Sequence, residues 1–152
     1  MKLSERDVLK MARLAREREE RLDLHGRDLS SLGFYAADLR DADLSGVDFT
    51  EANLTRANLS NADLSGAALV QAGLVEANLG GAILSDADLL RADLEGANLE
   101  GADLRRARLR GTNLAGATLT GADLRRARYD DYTRWPVGFD PEAAEAVFGL
   151  SS

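Results

Sequence analysis

Residues 37–56 read ADLRD ADLSG VDFTE ANLTR, which is four units of the form A-[D/N]-L-x-x. The unit continues in both directions, so that Leu, Phe or Tyr occupies every fifth position from Leu24 to Tyr129. We call this central position i. It is Leu at 19 of its 22 occurrences, and position i−2 is Ala at 17 of the 19 sites from Ala37 to Ala127. One small packing unit is therefore repeated along most of the chain.

A strict period of five fits neither the 3.6-residue turn of an α-helix nor the alternation of a lone strand. A large inward position at i and a small one at i−2 instead predict short extended segments joined by turns. Asp or Asn at i−1 can bond nearby backbone groups at such bends. Gly at i+2, as in Gly46 and Gly66, relieves crowding at a corner.

The motif resembles the pentapeptide-repeat family, and the match covers about residues 22–129. The resemblance implies an all-β solenoid, a right-handed quadrilateral β-helix with one pentapeptide per side and twenty residues per coil. The i residues would stack inward in ladders, with the i−2 residues between them. Coils spaced by about 4.8 Å would form a rod about 26 Å long. Each coil contacts only its neighbours, so both ends are expected to be covered.

Residues 1–21 are predicted to form an N-terminal capping helix. Ser4 followed by Asp7 is a helix-start signal. An apolar stripe follows at helical spacing, and its members are Val8, Met11, Ala12 and Ala15. The same helix also fits a second interpretation, in which it docks to a partner and the rod acts as a spacer.

Residues 130–152 are predicted to form a C-terminal cap, since aromatic residues appear where the Leu stacking stops. Asp140-Pro141 is a start signal for a short helix of about 141–148. The segment resembles the C-terminal cap of many bacterial pentapeptide-repeat proteins, some of which dimerise through it. The candidate end-cap or dimer residues are Trp135, Phe139, Val147, Phe148 and Leu150.

The charge distribution is uneven. The net charge is −7, yet residues 105–128 carry seven Arg against one Asp. The net charge argues against direct nucleic-acid binding. The chain has no Cys, which excludes disulfides, thiolate metal sites and a cysteine nucleophile. A start without an apolar signal segment, and the lack of a run of about 20 apolar residues, predict a cytoplasmic protein that does not enter a membrane.

An arginine band is the first candidate binding surface. Residues twenty apart are predicted to stack, which places the block RRAR at 105–108 over the same block at 125–128. Such a band could hold a phosphate or an acidic protein surface. The alternative is a solvated face that nearby carboxylates partly balance, from Asp103, Asp123, Asp130 and Asp131. The candidate residues are Arg105, Arg106, Arg108, Arg125, Arg126 and Arg128, with Arg110 beside them.

Val70 and Leu90 are a second candidate, because they are also twenty apart and occupy the outward i+1 position. Outward aliphatic side chains on a polar rod can mark a protein contact, although small apolar patches are also ordinary on monomers.

An acidic column is the third candidate, formed by i−1 residues on one side: Asp23, Asp43, Asp63, Asp103 and Asp123, with Ile83 among them. Some pentapeptide-repeat proteins mimic double-stranded DNA and bind DNA gyrase, a type II topoisomerase. The arginine band and the unbroken repeat depart from that subgroup.

Enzymatic chemistry is not expected. The one histidine, His25, has no Cys or second His near it, and no phosphate loop or dinucleotide motif is present. The sequence therefore predicts a non-enzymatic protein-interaction or scaffold module without a cofactor or metal. The partner is a protein, with a gyrase-binding DNA mimic as the alternative and a homodimer through the C-terminal cap as a further possibility.

Overall fold

The computed structural model describes residues 2–149, in which the repeats form a four-sided solenoid. Residues twenty apart are parallel partners, as in the successive pairs Asp23–Asp43 and Asp43–Asp63. The predicted twenty-residue coil is confirmed by this register. We number the four sides by their first central residue: face 1 begins with Leu24, face 2 with Leu29, face 3 with Phe34 and face 4 with Leu39.

The five-residue units from Leu24 to Leu104 are joined to the next coil by the same pattern of hydrogen bonds. In the unit around Leu44, the Leu44 N–H donates to the Asp63 carbonyl at 2.8 Å, and the Gly46 N–H donates to the Ser65 carbonyl at 2.9 Å. The Asp63 N–H in turn donates to the Ala42 carbonyl at 2.9 Å. Each side of a coil is therefore a minimal strand, and the hydrogen bonds run along the axis of the rod.

The interior is a stack of Leu and Ala. Central residues from Leu24 to Leu114 are at most 1% exposed, and the i−2 alanines fill the space between them. Each buried leucine contributes roughly 1.5–3 kcal/mol relative to an exposed one. Arg27 takes an i−2 position in the first coil and is exposed, so this coil is irregular, as expected.

The corners are built by turns with a left-handed residue at i+2. The Val47 N–H donates to the Leu44 carbonyl at 3.1 Å, and φ at the intervening Gly46 is 63°. Residues with side chains also adopt this conformation, for example Arg106 with φ 58° and Arg126 with φ 62°. A positive φ at the third residue but not at the second is typical of type II turns.

The Asp or Asn side chain at position i−1 stabilises the backbone of its own repeat unit. Every Asp and Asn at i−1 accepts a hydrogen bond on its side-chain oxygen from the backbone N–H of i+1 two residues later. The predicted backbone role of this position is confirmed. The side chain satisfies an N–H that the ladder between coils leaves free.

Helix α1 spans Glu5–Glu17 and packs on the first coil. Its start is the predicted one, since the Ser4 hydroxyl accepts from the Asp7 N–H and the Asp7 carboxylate accepts from the Ser4 N–H. Val8 and Ala12 are buried in the common core. The helix ends four residues before the predicted boundary at residue 21. No helix within residues 2–149 is long and apolar enough to cross a bilayer.

Charged side chains of the N-terminal segment occupy the open backbone positions of the first coil. The Glu5 carboxylate accepts from the Gly33 N–H at 2.8 Å, and the Arg16 guanidinium donates to the Asp38 carbonyl at 3.0 Å. In later coils these groups bond the backbone of the preceding coil. The segment therefore satisfies part of the edge that would otherwise be free to pair with another chain.

The predicted C-terminal helix over 141–148 is wrong. The Asp140 carboxylate does accept from the Glu142 and Ala143 N–H groups, as at a helix start. The chain makes only a turn, however, and Glu145 has a φ of 59°. The last described residues form strand β2 (Val147–Phe148), which pairs in parallel with β1 (Arg128–Tyr129). The unpaired edge of the final coil takes these residues in preference to helix.

Aromatic side chains lie over the end of the last coil. Trp135 and Phe139 stack with ring centroids 5.0 Å apart, and both pack against the core. Tyr129 contacts Trp135 and Phe148 edge-to-face, each at 5.5 Å. Leu150, a candidate contact residue at this end, lies outside the described residues.

Candidate functional site

The two arginine blocks wrap around a corner of the solenoid. Arg105 and Arg125 lie on face 1 at position i+1, and Arg108 and Arg128 lie on face 2 at position i−1. Arg106 and Arg126 occupy the corner between the two faces. The predicted stacking of the blocks is confirmed, because Arg108 and Arg128 are parallel partners.

On face 1 the arginines are neutralised within their own repeat unit. Arg105 donates through Nε and Nη2 to the Asp103 carboxylate at 2.9 and 2.7 Å. Arg125 makes the same contact with Asp123, at 2.9 and 2.6 Å. The hydrogen bond from Arg125 lowers the pKa of Asp123 from 3.8 to about 2. Each guanidinium is thus held in a two-point contact to a carboxylate.

At the corner the two arginines differ. Arg106 donates to both oxygens of Asp86 in the preceding coil, at 2.9 and 3.0 Å, and this contact lowers the pKa of Asp86. No ion pair is recorded for Arg126 among residues 2–149. The residue that would stand one coil below it in the place of Asp86 is Arg106, so Arg126 meets a cation instead.

On face 2 the arginines are largely free. Arg108 reaches Asp88 through one contact of 3.5 Å, and its side chain is 70% exposed. Arg110 and Arg128 have no ion pair within the part of the chain that the structure describes. Asp130, an expected counter-charge, instead accepts from the Gly111 N–H at 3.0 Å and from Thr133. The sequence-based expectation of partial balance therefore holds for face 1 but not for face 2.

The position of Arg108 and Arg128 within the repeat is unusual. Both stand at i−1, where Asp or Asn supports the turn through its side-chain oxygen. Arginine has no acceptor, so these two units give up that hydrogen bond. In the Arg128 unit the Thr133 hydroxyl takes its place and accepts from the Asp130 N–H at 3.1 Å. No acceptor is recorded for the Arg110 N–H among residues 2–149. The two substitutions place two cations on the outer surface.

Leu90 lies beside these arginines in one groove. The groove has a volume of about 430 Å³, and its walls are Asp88, Leu90, Arg108, Arg110 and Arg128. Leu90 is 37% exposed. Val70, its partner one coil earlier, is half-buried. Two candidates that the sequence suggested separately, the aliphatic pair and the arginine band, thus meet on face 2.

A second groove opens on the other side of the same arginines. It has a volume of about 590 Å³, and it is lined by Asp86, Arg106, Arg108, Arg126, Arg128 and Val147. Arg108 and Arg128 form the ridge that the two grooves share. Sequence reasoning missed the proximity of Leu90 to Arg110, although the two are twenty residues apart and the coil length alone places them together.

The acidic column on face 1 is confined to the first coils. Asp43 and Asp63 accept hydrogen bonds from the Ser45 and Ser65 hydroxyls, each at 2.6 Å, and the Ser45 contact lowers the pKa of Asp43. Ile83 then interrupts the column and is 40% exposed. Beyond it, Asp103 and Asp123 are paired with arginine. The continuous negative surface that the whole column would offer is therefore limited to its N-terminal part.

His25 does touch a serine, but the arrangement does not activate it. The His25 Nδ1 atom lies 2.8 Å from the Ser45 Oγ atom. The Ser45 hydroxyl, however, donates its proton to Asp43, so that His25 can only donate to the serine oxygen. A base that withdraws the serine proton is what nucleophilic catalysis requires.

The C-terminal candidates divide between the core and the surface. Trp135 and Phe139 are half-buried over the last coil, whereas Val147 and Phe148 are 49% and 46% exposed. The latter two extend the ladder of face 2 by one rung, beyond β1.

Comparisons with known proteins agree with this architecture. A family model described as pentapeptide repeats, in eight copies, matches residues 34–71, 72–111 and 92–128. No curated protein sequence matches the chain.

Solved structures resemble the chain over most of its length. A pentapeptide repeat protein, Rfr23 from the cyanobacterium Cyanothece 51142, is 30% identical, with a TM-score of 0.55 over 82% of this chain and 95% of that one. HetL from Nostoc sp. PCC 7120, involved in heterocyst differentiation regulation, is 29% identical, with a TM-score of 0.55 over 84% and 78%.

A more distant structure is similar in fold alone. QnrB1, a plasmid-mediated fluoroquinolone resistance protein, is 19% identical, with a TM-score of 0.55 over 75% of this chain and 74% of that one. The repeat, the twenty-residue register and these matches agree on a right-handed β-helix, and the chain belongs to the pentapeptide repeat family.

Proposed function

We propose that this chain is a non-enzymatic interaction module, a rigid scaffold that binds a protein partner through face 2. The observation that carries the proposal is the groove in which Leu90 lies beside Arg108, Arg110 and Arg128. An exposed aliphatic side chain beside guanidinium groups of which only Arg108 has an ion pair among residues 2–149, at 3.5 Å, supplies both apolar area and charge-assisted donors. Face 1 lacks this combination because its arginines are held by Asp103 and Asp123.

The solenoid supplies the rigidity that such a surface needs. The residues of face 2 are fixed by hydrogen bonds to both neighbouring coils, so that their backbone is already ordered before binding. A preorganised surface loses less conformational entropy on association. Arg108 and Arg128 are not held by a two-point contact to a carboxylate, so that their side chains can adapt to a carboxylate or phosphate on the partner.

A pull-down with a matched control tests the proposal. The full chain is compared with Arg108→Gln, Arg128→Gln on face 2 and with Arg105→Gln, Arg125→Gln on face 1, which removes the same charge. We expect partner proteins captured by the wild type to be lost with the face 2 variant and retained with the face 1 variant. Equal capture by all three proteins, each shown to be folded by circular dichroism, would contradict the proposal.

The alternative function is that of a DNA mimic that binds a type II topoisomerase such as DNA gyrase. The acidic column of Asp23, Asp43 and Asp63 favours it, since no ion pair is recorded for these three carboxylates among residues 2–149. The measurement is gyrase supercoiling activity with wild type and with Asp43→Asn, Asp63→Asn. This function requires an effect of the wild type that the variant loses and that falls steeply with salt.

Association through the C-terminal end is a separate proposal. Val137, Val147 and Phe148 are exposed there, and the exposed apolar area is typical of a contact surface. A variant with Val147→Ser and Phe148→Ser would convert a dimer formed in this way to monomer, as measured by sedimentation velocity.

A further inference from the structure

Face 2 changes character along the axis of the rod. The residues at i−1, from the first coil to the last, are Asp28, Asp48, Ala68, Asp88, Arg108 and Arg128. The residues at i+1 are Ser30, Thr50, Val70, Leu90, Arg110 and Asp130. One end of the face is thus acidic, the middle carries the aliphatic side chains, and the other end is basic.

The acidic–aliphatic–basic order of face 2 is complementary to the same order read in the opposite direction. Consider a two-fold axis that runs parallel to the strands of face 2, midway between the coils of Val70 and Leu90. It places the i−1 residues opposite the i−1 residues of a second copy, and the i+1 residues opposite its i+1 residues, with the two rods antiparallel. Asp48 then faces Arg108 of the second copy, and Val70 faces Leu90. Because the axis is two-fold, each of these contacts occurs twice.

We propose that face 2 is a self-complementary surface through which two copies of this chain associate antiparallel. The inference rests on the proposed function of face 2 and identifies its partner as a second copy. Among the remaining positions, Thr50 faces Arg110, so that its hydroxyl can accept from the guanidinium. Ser30 faces Asp130 and Asp88 faces Ala68. Neither pair adds a polar contact, because the Ser30 hydroxyl already donates to the Asp28 carboxylate at 2.6 Å.

Face 1 and a parallel arrangement of face 2 both lack this complementarity. On face 1 the same operation brings Asp23 opposite Asp123 and Asp43 opposite Asp103, which are like charges. A parallel arrangement on face 2 would bring Arg108 opposite Arg110. Repulsion between like charges disfavours both alternatives.

The inner charge pair is the decisive contact. Asp28 already has an intramolecular partner, since the Lys2 Nζ atom lies 3.3 Å from its carboxylate, so that its pair with Arg128 of the second copy is weakened. Asp48 has no ion pair among the described residues, and Arg108 has only the 3.5 Å contact with Asp88. These two side chains are the least satisfied opposite charges that the axis brings together.

The dimer is expected to be weak. A face of about 26 Å by about 13 Å offers roughly 340 Å² per copy, from the spacing of coils and the rise of an extended chain. Stable interfaces bury about 800 Å² per partner. Association should therefore be detected only at high protein concentration, and it should weaken as salt screens the charge pairs.

A charge-swap experiment tests the inference with the full chain. Sedimentation velocity is measured from about 10 µM to about 1 mM for wild type, for Arg108→Glu, for Asp48→Arg, and for an equimolar mixture of the two variants. Each variant alone faces two like-charge contacts, and its dissociation constant should rise about tenfold or more. In the mixture both contacts are attractive again, and the constant should return to within about threefold of wild type. Arg40→Glu, which makes the same charge change on the opposite face, should behave as wild type.

Several outcomes would overturn the inference. A mixture that stays as weak as the separate variants excludes the antiparallel arrangement. A dimer that persists in Arg108→Glu and is lost in the Val147→Ser, Phe148→Ser variant lies at the C-terminal end instead. A wild type that is monomeric up to about 1 mM excludes self-association through this face. In that case the pull-down decides whether face 2 binds another protein, so the proposed function can survive when the inference about its partner fails.

Discussion

The two arginine blocks lie across faces 1 and 2, and their side chains are paired with carboxylates on face 1 but are largely free on face 2. On face 1, Arg105 and Arg125 are each held by two hydrogen bonds to an aspartate of their own unit. On face 2, Arg108 has one contact of 3.5 Å, and Arg128 has none recorded among residues 2–149. The residue type is identical and the position in the repeat differs. An arginine at i+1 is therefore satisfied internally where an aspartate stands at i−1 of its own unit, and an arginine at i−1 is left for a partner.

The reason lies in the geometry of one unit. Residues at i−1 and i+1 are two apart and point to the same side of the short strand. An arginine at i+1 thus lies beside the aspartate at i−1 and folds over it. An arginine at i−1 removes that aspartate and can reach only a carboxylate in a neighbouring coil.

The largest expected effect on stability comes from the core, and it should be equal on the two faces. Leu104 is the central residue of the face 1 unit that carries Arg105, and Leu109 is that of the face 2 unit that carries Arg108. Both are 0% exposed. Replacement of either by Ala should lower the free energy of unfolding by about 2–5 kcal/mol. Urea denaturation measures the change. A difference well above 1 kcal/mol between the two variants would show that the contrast between the faces extends into the core.

The next prediction sharpens the contrast through acid titration. The pKa of Asp123 is lowered from 3.8 to about 2 by the contact with Arg125. A lowered folded-state pKa means that the carboxylate stabilises the fold above about pH 3.8, and that this stability is lost as the pH falls through about 2. In Arg125→Gln the pKa of Asp123 should rise towards 3.8, as measured by NMR titration.

The control for this titration is Arg128→Gln, which removes the same charge on face 2. It should leave the pKa of Asp123 close to its wild-type value. Equal changes in the two variants would mean that the general positive charge of the band, rather than the contact with Arg125, lowers the pKa.

A smaller effect is expected where face 2 departs from the repeat. Arg108→Asn restores the side-chain acceptor for the Arg110 N–H that every other Asp or Asn at i−1 provides. The variant should be more stable than wild type by about 0.5 kcal/mol, the low end for a hydrogen bond exposed to solvent. Thermal unfolding measures the difference. A variant less stable than wild type would indicate that Arg108 contributes to the fold itself.

The smallest effect on stability is expected for Leu90→Ser. Its side chain is 37% exposed, so the change should alter the free energy of unfolding by less than about 0.5 kcal/mol. Binding through face 2 should nevertheless weaken, because the groove loses its apolar wall. A variant that binds like wild type would indicate that Leu90 does not contribute to binding and that the arginines of the groove do.

Most of the fold could be predicted from the sequence because it is repetitive. The period of five gave the inward positions, and Asp at i−1 and Gly at i+2 have the predicted backbone roles. The pairing of Arg105 with Asp103 was also within reach, since their spacing places them on one side of a strand. The balance of the arginine band differs between the faces, because it depends on whether Asp or Arg stands at i−1 of each unit.

The C-terminal segment could not be predicted in the same way. Asp140-Pro141 begins a turn as a helix would, but Val147–Phe148 pair with the open edge of Arg128–Tyr129. The extra residue between Asp130 and Arg134 also shifts the register, because Asn113 pairs with Arg134 and not with Thr133. Both outcomes depend on which backbone groups the last coil leaves unpaired, and local propensity does not contain that information.

The mobility of the arginine side chains tests the central contrast most directly. NMR relaxation of the Nε–Hε groups in the full chain reports their order on the ps–ns timescale. Arg105, Arg106 and Arg125 should have order parameters near those of the backbone, about 0.85, whereas Arg108 and Arg128 should fall below about 0.6. Equal order on both faces would contradict the account, because the arginines of face 2 would then be held as firmly as those of face 1.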